Sequence, residues 1–80
     1  MPNQVTRDQV VRWLQRNDFE ELPGGKTSHR QFAHRRTGVK IVIPGHGPTD
    51  LTKKHFGMIL RMLATAGFDR AKARADILAT

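Results

Sequence analysis

His29 is the side chain in this sequence best suited to moving a proton at neutral pH. An unperturbed imidazole has a pKa of about 6.5, so it accepts and returns a proton under ordinary conditions. It stands in Gly24-Gly25-Lys26-Thr27-Ser28-His29-Arg30-Gln31-Phe32-Ala33-His34. The glycine pair lets backbone approach a ligand closely, and the alternating segment behind it would fix the position of His29. No Asp or Glu occurs between Glu21 and Asp50, whereas Lys26, Arg30, Arg35, Arg36 and Lys40 all fall there. An imidazole in a cationic, carboxylate-free window suits work on a phosphate backbone.

Other chemistries fit less well. Four histidines raise a zinc reading, but no HxH or HxxxH spacing occurs and the basic window supplies no carboxylate, so neither a metal site nor a cofactor is expected. Gly25-Lys26-Thr27 is a fragment of a phosphate loop without the GxxxxGK[ST] pattern or a parallel α/β unit around it. The absence of Cys removes disulfides, thiolate zinc sites and a cysteine nucleophile, and favours a cytoplasmic setting.

With 80 residues the chain predicts a single domain over 1–80, its core within about residues 6–68 and a C-terminal helix over about 69–79. Lys and Arg total 14 against 7 acidic residues, a net charge of +7. That surplus attracts polyanions, nucleic acid first. A lipid surface is less apt, because no segment pairs a basic face with a strongly apolar one. No apolar run has membrane length.

The elements that must position His29 follow from local pattern. Thr6-Arg7-Asp8-Gln9 fits a capping box, with Val5 and Val10 placed as a hydrophobic staple. Val10, Trp13 and Leu14 recur at helical spacing, predicting a helix over Arg7 to Arg16 with Trp13 in the core and Asn17 as a left-handed terminator. Phe19 to Leu22 reads as a first strand. From Ser28 to Arg35 the period is two, with Arg30, Phe32 and His34 on one side and His29, Gln31 and Ala33 on the other. Val39 to Ile43 is rich in β-branched residues and predicts a third strand, ended by Pro44. A loop follows over Pro44 to Asp50. Asp50 or Thr52 would cap a second helix reaching about Ala66, its exposed side headed by Lys53 and Lys54. Lysines in a first turn oppose the helix dipole, a conflict that a bound anion would relieve. Gly67 suits the helix terminus. Asp69 would cap an alanine-rich third helix through about Leu78, whose weak apolar face needs something to pack on. The order is helix, three strands, helix and a tail helix: an α+β fold, its three-stranded antiparallel meander carrying both main helices on one face. The other face stays open, and His29 would sit there.

At this level the chain resembles the HicA family of bacterial toxins, small messenger-RNA interferases. The resemblance spans about Val10 to Phe68 and rests on Asn17-Asp18-Phe19, Ser28-His29 with Phe32 and His34 downstream, Pro44-x-His46, Gly57-Met58-Ile59 and Met62-Leu63-x-x-Ala66-Gly67-Phe68. The family usually carries Gly directly before the Ser-His pair; Thr27 stands there in this chain. The resemblance implies a fold like a double-stranded-RNA-binding domain and ribonuclease activity centred on His29. It also implies a HicB-like antitoxin that covers the site.

RNA can be cleaved without metal when its own 2′-hydroxyl is deprotonated and the charge developing on phosphorus is stabilised. His29 is the expected base, with Lys26 and Arg30 as electrostatic partners and Ser28 orienting ring or phosphate. His46 is the better second histidine, because His34 falls on the other strand face. Lys40, Lys53 and Lys54 complete the expected RNA contacts. The alternatives are a non-catalytic basic RNA-binding module of the same shape, and an interaction domain for an acidic protein.

Overall fold

Thr6 turns the chain into its first helix. In the computed structural model, which describes residues 5–23, 29–44 and 50–80 and the backbone alone at His29, Pro44 and Asp50, strand β1 (Val5–Thr6) leads directly into α1 (Arg7–Arg16). The Thr6 hydroxyl accepts from the Gln9 amide at 3.2 Å, and the Gln9 side chain accepts from the Thr6 amide at 2.9 Å. This reciprocal pair satisfies two donors that a helix start leaves open. Val5 and Val10 are both buried, as a staple requires. The helix ends differently from the sequence expectation. Asn17 has φ −109°, and it is Asp18, at φ 69°, that takes the left-handed conformation. The Asn17 side-chain amide instead donates to the Trp13 carbonyl at 2.8 Å. A short polar side chain can close a helix by either route, and only the structure separates them.

Strands β2 (Phe19–Glu21), β3 (His29–His34) and β4 (Lys40–Pro44) form an antiparallel sheet in the order β2-β3-β4. Phe19 pairs with His34, Glu21 with Phe32, Phe32 with Ile41 and Arg30 with Ile43. Phe19, Phe32, Ile41 and Ile43 are buried and share one face, against which α1 and α2 (Lys53–Thr65) pack. Glu20, Gln31 and Lys40, of opposite parity, are exposed. The expected α+β architecture is therefore present.

Two short strands escaped the sequence reading. Beyond the sheet, β1 pairs antiparallel with β5 (Asp50–Leu51), Val5 opposite Leu51. Two-residue strands have no periodicity to read. Because Asp50 belongs to β5, the helix cap falls to Thr52, whose hydroxyl accepts from the His55 amide at 3.1 Å. The third main strand begins at Lys40 rather than Val39, since the Val39 carbonyl closes the hairpin by accepting from the His34 amide at 2.9 Å.

α2 ends in a complete Schellman motif: the Phe68 amide donates to the Leu63 carbonyl and the Gly67 amide to the Ala64 carbonyl, each at 3.0 Å. Gly67 has φ 99°, and a methyl group there would meet nothing within 4 Å. The cost of Gly67→Ala is then purely conformational, about 1–2 kcal/mol. For a domain of this size the melting temperature should drop by about 4–8 °C per kcal/mol, measured by circular dichroism.

Phe68 carries the chain on to α3 (Arg70–Leu78), capped by the Asp69 carboxylate, which accepts from the Lys72 amide at 3.1 Å. The helix does find its packing partner, within its own chain. Ala73 and Ile77 are buried against α1 and α2, and the Gln9 side-chain amide donates to the carbonyls of Ile77 and Thr80 at 3.4 and 3.3 Å. Gln9 thus serves the start of one helix and the end of another. Trp13 is buried, edge-on to Phe68 with centroids 5.3 Å apart, a core residue as expected.

Candidate nucleic-acid interface

The β3–β4 hairpin is the scaffold of the candidate site. Its register sets His29, the first residue of β3, directly across from Pro44, the last of β4. β3 therefore begins and β4 ends at the same end of the sheet; in sequence, residues 24–28 precede the one and 45–49 follow the other. Lys26, Ser28 and His46 lie outside the described residues, as does the side chain of His29. His46 is two residues beyond Pro44, about 7 Å of chain at full extension.

Of the remaining expected contacts, Lys40 is exposed and pairs with Ala33 on the open side of the sheet. Lys53 and Lys54 are exposed in the first turn of α2, which contains no acidic residue. Arg30 is not grouped with Lys40. It shares the parity of Phe32, at the margin of the helix-covered face, its guanidinium carbon 5.6 Å from the Phe32 ring centroid.

Arg30 is also engaged. Its Nε and Nη2 donate to the two carboxylate oxygens of Glu21 at 2.9 and 2.8 Å, a bidentate pair. This hydrogen bond is the main reason that the Glu21 carboxyl is held below its ordinary pKa; burial opposes it and the charge of Arg30 adds to it. The same bond raises Arg30 further. A carboxyl whose pKa is lower folded than unfolded adds stability above its unfolded pKa and loses it as pH falls through the folded value. Both side chains are 39% exposed, so solvent screening holds the contribution to about 0.5 kcal/mol. Glu21→Gln should accordingly lower thermal stability slightly at neutral pH and match the parent in strong acid, a comparison made by melting at both.

His34 has a different role. It is buried, with its ring edge-on to Phe19 at 4.9 Å and to Phe68 at 6.0 Å. Its Nδ1 accepts from the backbone amides of Arg36 and Thr37 at 3.2 and 3.3 Å, which assigns the ring proton to Nε2. The imidazole closes the β3–β4 turn much as an Asn or Asp side chain does elsewhere. Position before Arg36-Thr37-Gly38 was the only sequence signal for this.

Residues 7–68, from the first turn of α1 to the residue that closes the α2 terminus, match the family described as the HicA toxin of bacterial toxin-antitoxin. The chain belongs to the HicA toxin family. Membership makes it a toxin component and implies an antitoxin as its partner. No curated protein and no solved structure matches the chain. The HicA match takes in the whole β3–β4 hairpin and stops before α3. No helix among the described residues is long and apolar enough to cross a membrane.

Proposed function

We propose that this HicA-family chain is a metal-independent endoribonuclease that cleaves messenger RNA in the cytoplasm, with His29 as general base. The observation that supports the reading is the β3–β4 register, which sets His29 opposite Pro44 at one end of the sheet; these are residues of the Ser28-His29 and Pro44-x-His46 motifs. His29 takes the proton of a ribose 2′-hydroxyl. The freed 2′-oxygen attacks the adjacent phosphorus, and the bond from phosphorus to the 5′-oxygen breaks. That oxygen leaves with a proton, for which His46 is the candidate donor. Lys26 and Arg30 stabilise the charge developing on the phosphoryl oxygens, and Ser28 orients ring or phosphate. Glu21 occupies two of the five Arg30 donors, leaving the others for RNA. Lys40, Lys53 and Lys54 hold flanking phosphates. A HicB-like antitoxin silences the enzyme by covering this basic end.

The α-β-β-β-α order is the one that a fold like a double-stranded-RNA-binding domain requires. Incubating the purified protein with messenger RNA in excess chelator tests the proposal. Fragments should accumulate. RNA that is bound but stays intact would leave the runner-up, a non-catalytic RNA-binding module; RNA neither bound nor cut would remove both.

A further inference from the structure

α3 lies beyond the residues matched to the family, yet it is built into the fold, and its two flanks differ in charge. One flank faces α1 across a groove lined by Trp13, Phe68, Asp69, Lys72 and Asp76, where two carboxylates meet one ammonium. The other faces α2 across an open groove lined by Leu60, Arg70, Ala71 and Arg74, with no acidic residue. Arg70 and Arg74 are one helical turn apart, so their guanidinium groups rise from the same wall. The opposite wall belongs to α2. There Leu60 lines the groove. Both arginines are exposed, and neither takes part in the ion pairs Arg30–Glu21 and Arg35–Glu20.

Two arginines beside an apolar floor, with no carboxylate in the lining, make a track for a polyanion. A chain of phosphates can run along the Arg70–Arg74 wall while sugar or base lies on Leu60 and Ala71. Arginine suits this use, since its planar fork binds phosphate oxygens in pairs. We infer that the α2–α3 groove is a second RNA-backbone track, distinct from the end of the sheet that holds His29, and that α3 adds it through Arg70 and Arg74. The inference rests on the reading that the chain acts on RNA.

The test uses the full chain carrying His29→Ala, so that RNA survives the measurement. Binding of a fluorescein-labelled single-stranded RNA is followed by anisotropy over a range of salt concentrations. Each phosphate contact on a single strand contributes about 0.7 to the slope of log affinity against log salt. R70Q/R74Q should therefore flatten the slope by about 1.4. R12Q/K72Q removes the same charge from other surfaces and should leave the slope near that of the parent. Circular dichroism establishes that both variants fold, as substitutions of exposed side chains should allow. An unchanged slope in R70Q/R74Q, or equal flattening in both variants, overturns the track and reduces the effect to net charge. Loss of polyglutamate binding in R70Q/R74Q with RNA binding intact also overturns it, in favour of an acidic protein partner. If the parent binds no RNA at all, the failure is of the functional reading itself.

Discussion

His29→Ala should abolish RNA cleavage in chelator while leaving RNA affinity and its salt dependence close to those of the parent. A positioned general base is worth about 10²–10⁴ in rate, so the variant should fall to the level of uncatalysed hydrolysis in an ordinary gel assay. Affinity is a separate quantity, carried by cations that neutralise phosphates and release counterions. A neutral imidazole contributes little to it. The base must also be neutral to accept a proton, so the parent rate should fall toward acid pH. His46→Ala tests the other half of the chemistry. Removal of the acid that protonates the leaving 5′-oxygen should slow cleavage and lift the loss of rate on the alkaline side. Cleavage that persists undiminished in His29→Ala would exclude the proposed base, even with RNA still bound.

Most of the scaffold was legible in the sequence because it is built from local signals. The capping box at Thr6 and Gln9, the alternation about Phe32, the β-branched run ending at Pro44 and the Gly67 terminus each identify an element without knowledge of the rest. What escaped depends on contacts distant in sequence. The pairing of Val5 with Leu51 forms only once α1 and α2 are placed, and two residues cannot announce a strand. α3 was legible as a helix, but what holds it was not: Ala73 and Ile77 are buried, and the side chain of Gln9 reaches its C-terminal end. The engagement of Arg30 by Glu21 follows from strand register, which a basic window read along the chain does not contain. The same applies to the acid-free groove between α2 and α3, since Arg70 and Arg74 are ordinary solvated cations until the two helices set them beside Leu60. Residue type and spacing singled out His29, and the family resemblance strengthened that reading. The register adds the pairing of His29 with Pro44.

His34→Ala should give the opposite phenotype to His29→Ala, a large loss of stability with cleavage retained by the molecules that remain folded. Two effects add. The ring leaves a cavity between Phe19 and Phe68 and takes with it two edge-on aromatic contacts, each worth about 0.5–1.5 kcal/mol beyond the area buried. The turn loses the acceptor for the Arg36 and Thr37 amides, about 0.5–1.5 kcal/mol per hydrogen bond. Arg36 and Thr37 are exposed, so water can reach their amides and the turn's share stays toward the lower figure. The total is about 3 kcal/mol, a large part of the roughly 4–12 kcal/mol that a domain this size has in all. The melting temperature should fall by about 12–24 °C. Two further variants separate the contributions. His34→Phe keeps the ring contacts and loses the acceptor, so it should recover the packing share. His34→Asn can present an amide oxygen to the turn but fills little of the cavity, and should recover only the turn share. Stability near that of the parent in His34→Ala, together with lost cleavage at full RNA binding, would move His34 from the core of the hairpin into the chemistry and leave the assignment of the base to be made again.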